Sequence, residues 1–382
     1  MTLSRLVLLA LAAALCFQLA TGVRLPSAAA LRASSKGKGK DGYVNERPII
    51  GILTQPGDPA PKGYSYIAAS YIKWVEAAGA RVIPIMYDMT EQELQDRFAA
   101  INGLLLPGGG ADLRPGHMFY DTAARLVELA IAANDKGDYF PVHGTCLGLE
   151  TLSIIISGNT SILSEMDAED APAPLLYTQE AQHSPFLNAL PPHIVTNLQN
   201  QALAMENHMH GVLMTSYEEP ANRRLKDFFK VLSLSLAHDG LPYISTMEAR
   251  KYPITATQWH PEKNAFEWVT SLHIPHSPDA VEMTQEVANF FVSEARKNSH
   301  AARDALEESD MLIYNWKPEY TGRVTRGGEE QDFEQTYIFG PPDNRLAGRQ
   351  QQRQGQHGAV GQHQERCWWR RQMAKLLAAL QA

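Results

Sequence analysis

One stretch of this 382-residue chain limits its fold more than any other: residues 139–156, YFPVHGTCLGLETLSIII. A short apolar run over 139–143 passes into Gly144-Thr145-Cys146-Leu147-Gly148 and then, with no spacer, into an apolar helical segment over 149–156. Strand, tight turn and helix in immediate succession form a nucleophile elbow, whose glycines admit a strained central residue and close neighbouring backbone. Such a turn sits at the carboxyl end of a strand buried on both faces, so the elbow calls for an α/β sheet.

The preceding residues supply the rest of that sheet. PIIGILT (48–54), RVIPIM (81–86) and GLLLP (103–107) are continuous apolar runs, as expected of doubly buried strands. Between them lie helical periods. Residues 66–78 carry Ile67, Tyr71, Trp74, Val75 and Ala78 and stop at Gly79; 91–100 is capped by Thr90; 121–134 is amphipathic. Strand and helix in alternation predict a doubly wound, mostly parallel sheet with helices on both faces, and ligands at the strands' carboxyl ends.

Two of those ends have distinctive chemistry. The third strand runs into Pro107-Gly108-Gly109-Gly110, a loop able to present backbone N–H groups to an anion, although tight turns are often glycine-rich as well. A helix N-terminus beneath Cys146 is expected to lower the thiol pKa, and the N–H of Leu147 with that of Gly109 would form an oxyanion hole. The competing reading is a buried structural cysteine. A further strand, 251–259, leads into His260-Pro261-Glu262, where a carboxylate two residues after the imidazole can orient it as a base.

The ends differ in character from this body. Residues 1–24 have the basic start, apolar run and small-residue end of a signal peptide, too short for a stable membrane anchor; an uncleaved N-terminal helix is the alternative. Residues 25–46, with Ser34-Ser35-Lys36-Gly37-Lys38-Gly39, read as a flexible linker, 47–340 as the folded domain, and 341–382 as a basic, Gln-rich tail. The tail has seven Lys or Arg against two acidic residues over 343–382, so the body is more acidic than the overall net charge of −8. That excludes a basic nucleic-acid-binding body. The tail's end fits either an amphipathic helix or a disordered appendage. Of three cysteines, Cys16 falls in the leader and Cys367 in the tail, so Cys146 stands alone and no disulfide framework is expected.

Six stretches resemble the gamma-glutamyl hydrolase family of the class I glutamine amidotransferase-like superfamily. They are RPIIGILTQP from Arg47, YSYIAASYIKWVEAAGARVIPI from Tyr64, INGLLLPGGGADL from Ile101, GDYFPVHGTCLGLE from Gly137, ISTMEARKYPITATQWHPEKNAFEW from Ile244 and YTGRVTRGGEEQDFEQTYIFG from Tyr320. The resemblance implies a flavodoxin-like class I glutamine amidotransferase fold and a cofactor-free cysteine hydrolase of folate poly-γ-glutamates. It implies a lysosomal, vacuolar or secreted setting and a possible homodimer. Cys146 would be the nucleophile, His260 the general base and acid, and Glu262 its partner; His208 and Tyr66 would contact substrate. Other γ-glutamyl amides or peptides, or glutamine itself, are alternative substrates for the same triad.

Four further features lie outside that match. His143, three residues before the nucleophile, stands where relatives carry an aromatic; it either lines the pocket or is a satisfied strand histidine. His208 and His210 have a spacing compatible with zinc, but no companion ligand is near in sequence, so no metal site is expected. Asn159-Thr160-Ser161 is a glycosylation sequon. A polyanionic substrate sits oddly with a net charge of −8, unless charging of the thirteen histidines in an acidic lumen reverses the balance.

Overall fold

The computed structural model describes residues 43–324 and 332–341. Contacts divide the chain into Met1–Glu46 and Arg47–Ala382, and everything below concerns the second unit. The leader, most of the linker and all but the first residue of the tail lie outside the described residues.

The unit opens with β1 (Ile49–Leu53), β2 (Gln55–Pro56), β3 (Ser65–Ala68), α1 (Ala69–Ala77) and β4 (Arg81–Ile85). Then come α2 (Glu91–Ala100), β5 (Gly103–Leu106), α3 (Met118–Asp135), β6 (Val142–Thr145) and α4 (Leu147–Ser157). After β7 (Ser164–Ala173), β8 (Leu176–Tyr177), β9 (Ala204–Gly211), β10 (Phe229–Leu236), β11 (Pro242–Ala249) and β12 (Ile254–Thr257), the helix α5 (Pro278–Ala295) precedes β13 (Pro318–Tyr320) and β14 (Gln335–Phe339). The main sheet has the order β4-β1-β5-β6-β12-β11-β10-β8. Its first five strands pair in parallel, and β11, β10 and β8 extend it antiparallel. This is the expected doubly wound α/β architecture.

Residues of one strand serve two cores in alternation. In β1, Ile49 and Leu53 enter one cluster while Ile50 and Ile52 enter the other; in β5, Leu104 and Leu106 oppose Leu105. The first cluster is closed by Leu94 and Phe98 of α2, Leu126 and Val127 of α3, and Leu149 and Leu152 of α4. The second is closed by Ile72, Trp74 and Val75 of α1 and by Val287 and Phe291 of α5. Each fully buried side chain of this size contributes about 1.5–3 kcal/mol. Trp74 can be fully buried because its indole N–H donates to the Thr284 carbonyl at 2.9 Å.

Three boundaries depart from the sequence expectation. The helix over 66–78 starts only at Ala69, because residues 65–68 pair with β14 and β2 in a second, four-stranded sheet. The strand over 139–143 is displaced to 142–145: the Asn134 side chain bonds both the N–H and the carbonyl of Phe140, taking that residue out of the ladder. The strand over 251–259 contracts to 254–257 after a turn in which the Ile254 N–H bonds the Tyr252 carbonyl. The Thr90 cap over α2 is present, as a full capping box with Glu93. Among the described residues no helix is long and apolar enough to cross a membrane.

Candidate active site

Strands β6 and β12 run side by side and end together at Thr145 and Thr257. The next residue, Cys146, has φ 52° and ψ −110°, a strained conformation for a residue with a Cβ, and its N–H donates to the Thr257 carbonyl at 2.7 Å. The strain places the sulfur at the start of α4. The bracketing glycines are required by space: a Cβ on Gly148 would lie 2.1 Å from the Leu106 carbonyl oxygen, and one on Gly144 would lie 2.7 Å from the backbone of Gly148.

The thiol is not acidified, which departs from the lowered pKa expected of a helix N-terminus. Burial pushes its pKa well up and the Glu150 carboxyl, one turn into α4, adds to the rise; the Leu147 N–H and the Lys263 ammonium oppose it. The helix terminus acts with the predicted sign but loses to desolvation. Cys146 therefore rests as a thiol and needs a base.

His260 supplies the lone pair. Its Nδ1 lies 2.7 Å from Glu262 Oε1, and burial holds the imidazole below its ordinary pKa although Glu262 pulls the other way. Desolvation pushes the buried Glu262 carboxyl up, but His260, together with Lys263 and a backbone N–H, holds it below the ordinary carboxylate value. With Nδ1–H donated to Glu262, Nε2 is the free basic nitrogen. His260 and Cys146 are brought together around Gly108: a Cβ there would lie 2.8 Å from His260 Cε1 and 3.3 Å from Cys146 Cβ. The Gly108 N–H donates to the Tyr71 hydroxyl at 2.8 Å, and that oxygen lies 3.3 Å from His260 Nδ1.

These groups open into a cleft of about 300 Å³ lined also by Asp58, Tyr66, Gly109, Asn207, Lys263, Asp332 and Phe333. Gly109 and Leu147 both reach the site, the first on the cleft wall with φ +155° and its Cα packed on Gln55, the second through its N–H toward the sulfur. Tyr66 lines the cleft, its ring against Phe333.

His208 does not line it. Its Nε2 bonds Glu206 at 3.0 Å, its Nδ1 bonds the His210 carbonyl at 2.8 Å, and its ring meets the edge of Tyr243. Glu206 is fully buried and also accepts from Ser245, so His208 holds a buried carboxylate in place and the cleft-facing residue of β9 is its neighbour Asn207. The expectation of direct contact by His208 gives way to one of support. His143 is likewise away from the cleft: it bonds Thr255, sits between Trp74 and Phe291, and burial holds its pKa at about 4. Asn159 lies outside the site, half-buried, with its Nδ2 donated to Asn222. Among the described residues no group of three or more His, Cys, Asp or Glu stands close enough to hold one metal ion.

Sequence reasoning passed over Tyr71, Asn207 and Lys263. Tyr71 was read as one apolar position of a helical stripe, and its hydroxyl gave no signal. Lys263 directly follows Glu262 and, as one charge beside another, gives no signal of its own.

The profile of the family described as Peptidase C26 matches residues 48–262. The chain is 42% identical over 299 residues to gamma-glutamyl hydrolase of Rattus norvegicus, covering 77% of this chain and 90% of that one. It is 40% identical over 328 residues to gamma-glutamyl hydrolase of Homo sapiens, covering 85% and 98%. It is also 40% identical over 313 residues to gamma-glutamyl hydrolase 1 of Arabidopsis thaliana, covering 80% and 86%.

Proposed function

The chain belongs to the Peptidase C26 family, with the gamma-glutamyl hydrolases, and from that premise we propose a cysteine hydrolase that cleaves the γ-glutamyl bonds of folate poly-γ-glutamates. The observation that carries the chemistry is the convergence of a strained Cys146 and the His260–Glu262 pair on one glycine, Gly108.

In this reading His260 Nε2 takes the thiol proton as sulfur attacks the γ-carbonyl carbon. The N–H groups of Gly109 and Leu147 receive the oxyanion, which a buried site stabilises more strongly than water does. Collapse breaks the C–N bond, and His260 returns its proton to the departing amine. A thioester to Cys146 remains. Water, giving a proton to His260, then attacks the thioester, and the released sulfur recovers that proton. Glu262 holds the imidazole in the productive tautomer and stabilises its transient positive charge. Every step uses groups of this chain and water.

Hydrolysis of other γ-glutamyl amides uses the same groups and is the second reading. A signal peptide over 1–24 would route the protein to the secretory pathway, to a lysosome, vacuole or the exterior. Incubating the protein with pteroylpentaglutamate and following chain length by mass spectrometry tests the substrate. Stepwise or internal shortening by the wild type and none by Cys146→Ala is the expected result; equal shortening by both, or none by either, overturns it.

A further inference from the structure

Lys263 is 2% exposed, yet its ammonium has none of the partners a buried lysine ordinarily takes. Among the described residues it makes no hydrogen bond or ion pair; its one close contact is the Phe333 ring, 5.2 Å from Nζ to the centroid. The neighbouring carboxylates feel its charge without bonding it. Glu262 is bonded to His260, and Glu267 accepts the Glu334 N–H. Lys263 lines the same cleft wall as Cys146 and His260, and among the described lining residues it is the one side chain with a permanent positive charge. Asp58 and Asp332, which share that wall, are exposed and bring charge of the wrong sign for a polyanion.

An ammonium on the cleft wall that has no hydrogen-bonded partner, beside a nucleophile, is a ready seat for a ligand anion, which would complete it with a charge-assisted hydrogen bond. A γ-glutamyl link brings such anions to the reacting carbonyl. The residue whose γ-carbonyl is attacked has a free α-carboxylate three carbons away, and the departing glutamate has another next to the amide nitrogen. An α-linked glutamate lacks the first, because its α-carboxyl carbon is itself the scissile carbonyl, whereas a C-terminal leaving residue has the second in either linkage. We propose that Lys263 is the specificity-determining cation of the site, pairing with the α-carboxylate of the residue whose γ-carbonyl is attacked and so selecting γ-linked over α-linked glutamate. This inference rests on the γ-glutamyl reading above.

The test compares three dipeptide-like substrates: γ-glutamyl-glutamate with both α-carboxylates free, the same with the donor α-carboxylate as a carboxamide, and the same with the leaving residue's α-carboxylate as a carboxamide. Each is assayed on wild type, Lys263→Met and Lys263→Arg, with melting curves for all three proteins. Wild type is expected to lose about a hundredfold or more in kcat/KM on the donor carboxamide, as sites built around a specific polar group do. A loss confined to the leaving-residue carboxamide overturns the selection of linkage. Lys263→Met is expected to fall to the same low rate on the parent substrate and to discriminate less than about fivefold, with Lys263→Arg between the two.

Wild type cleaving parent and both carboxamides equally overturns the inference while leaving the γ-glutamyl reading intact. Wild type cleaving none of the three overturns that reading itself. Lys263→Met losing the same factor on every substrate assigns the lysine to holding Glu262 and Glu267 and overturns the specificity role. If Lys263→Met does not fold, the wild-type comparison and Lys263→Arg still decide.

Discussion

The hydroxyl of Tyr71 accepts the Gly108 N–H at 2.8 Å while lying 3.3 Å from Nδ1 of His260, so one phenol connects the glycine-rich loop to the base. The two halves of the proposed site come from strands β5 and β12, which are not neighbours in the sheet. Tyr71, fully buried on α1, joins them from above. Removing the hydroxyl leaves a buried N–H without its partner, a cost of about 1–3 kcal/mol. Tyr71→Phe is therefore expected to reduce kcat about tenfold to a hundredfold, by misplacing the loop, with a smaller effect on KM. Steady-state kinetics with a melting curve checks this; unchanged kcat in a well-folded variant contradicts it.

The acid limb of activity follows from His260. Its pKa is depressed by burial and raised by Glu262, so the reactive neutral form persists below the ordinary histidine range. The acid limb of kcat/KM in wild type is expected below pH 6.5. In Glu262→Gln the anion that favours imidazolium is gone, so the limb moves to still lower pH while kcat falls by about 10²-fold or more, from lost tautomer control. A limb that moves up on this substitution refutes the assignment.

His143 makes the fold, not the chemistry, sensitive to acid. The folded pKa of about 4 lies below the unfolded value of 6.5, so the unfolded chain binds the proton first as pH falls. Stability contributed by the neutral ring is full above pH 6.5 and lost progressively down to pH 4, by about 3 kcal/mol if this group acts alone. The same burial means that the thirteen histidines do not all charge in a mildly acidic lumen, since His143 and His260 resist. His143→Phe keeps an aromatic ring between Trp74 and Phe291, and its melting temperature is expected to fall less than that of wild type between pH 7 and pH 4.5.

His208 supports a buried carboxylate, and its loss strands one. His208→Ala leaves Glu206 fully buried with only Ser245 and Tyr243 still acting on it among the residues described around it, and breaking such a pair costs about 3–5 kcal/mol. Unfolding in urea at neutral pH is expected to show that loss. Glu206→Gln combined with His208→Ala removes the stranded charge and is expected to restore part of it. A variant with wild-type stability and a purely raised KM would instead place His208 on the substrate.

Gly148 and Gly110 separate a glycine needed for space from one in the open. An added methyl at Gly148 meets the Leu106 carbonyl, while at Gly110 it meets nothing within 4 Å. Gly148→Ala is expected to cost about 1–3 kcal/mol or more, in the range of overpacked cores, and Gly110→Ala is expected to melt close to wild type. Chemical denaturation of the two variants side by side makes the comparison.

The elbow and the His260-Pro261-Glu262 turn were readable because each is a local arrangement: the strand, the glycines, the reactive residue and the helix are consecutive in the chain. The alternating core of β1 and β5 was readable for a similar reason, since a doubly buried strand is apolar at every position. Residues 65–68 were not, because their strand conformation depends on pairing with β14, some 270 residues away, and local helical periodicity outweighs that in a sequence. Lys263 and Tyr71 look ordinary in sequence, one a charge after a charge and the other an apolar position. Their placement emerges only where β5, β6, β12 and α1 meet.

By itself the sequence determined the α/β class, the family, and which cysteine and histidine are the candidate nucleophile and base, because these rest on short runs of residues whose spacing fixes their geometry. Tertiary structure alone decided the resting protonation of Cys146, the retreat of His208 behind Glu206, and the exposure of an unpaired Lys263 to the cleft. Burial and electrostatic coupling sum over groups far apart in the chain, and they reversed the local effect of the helix terminus on the thiol.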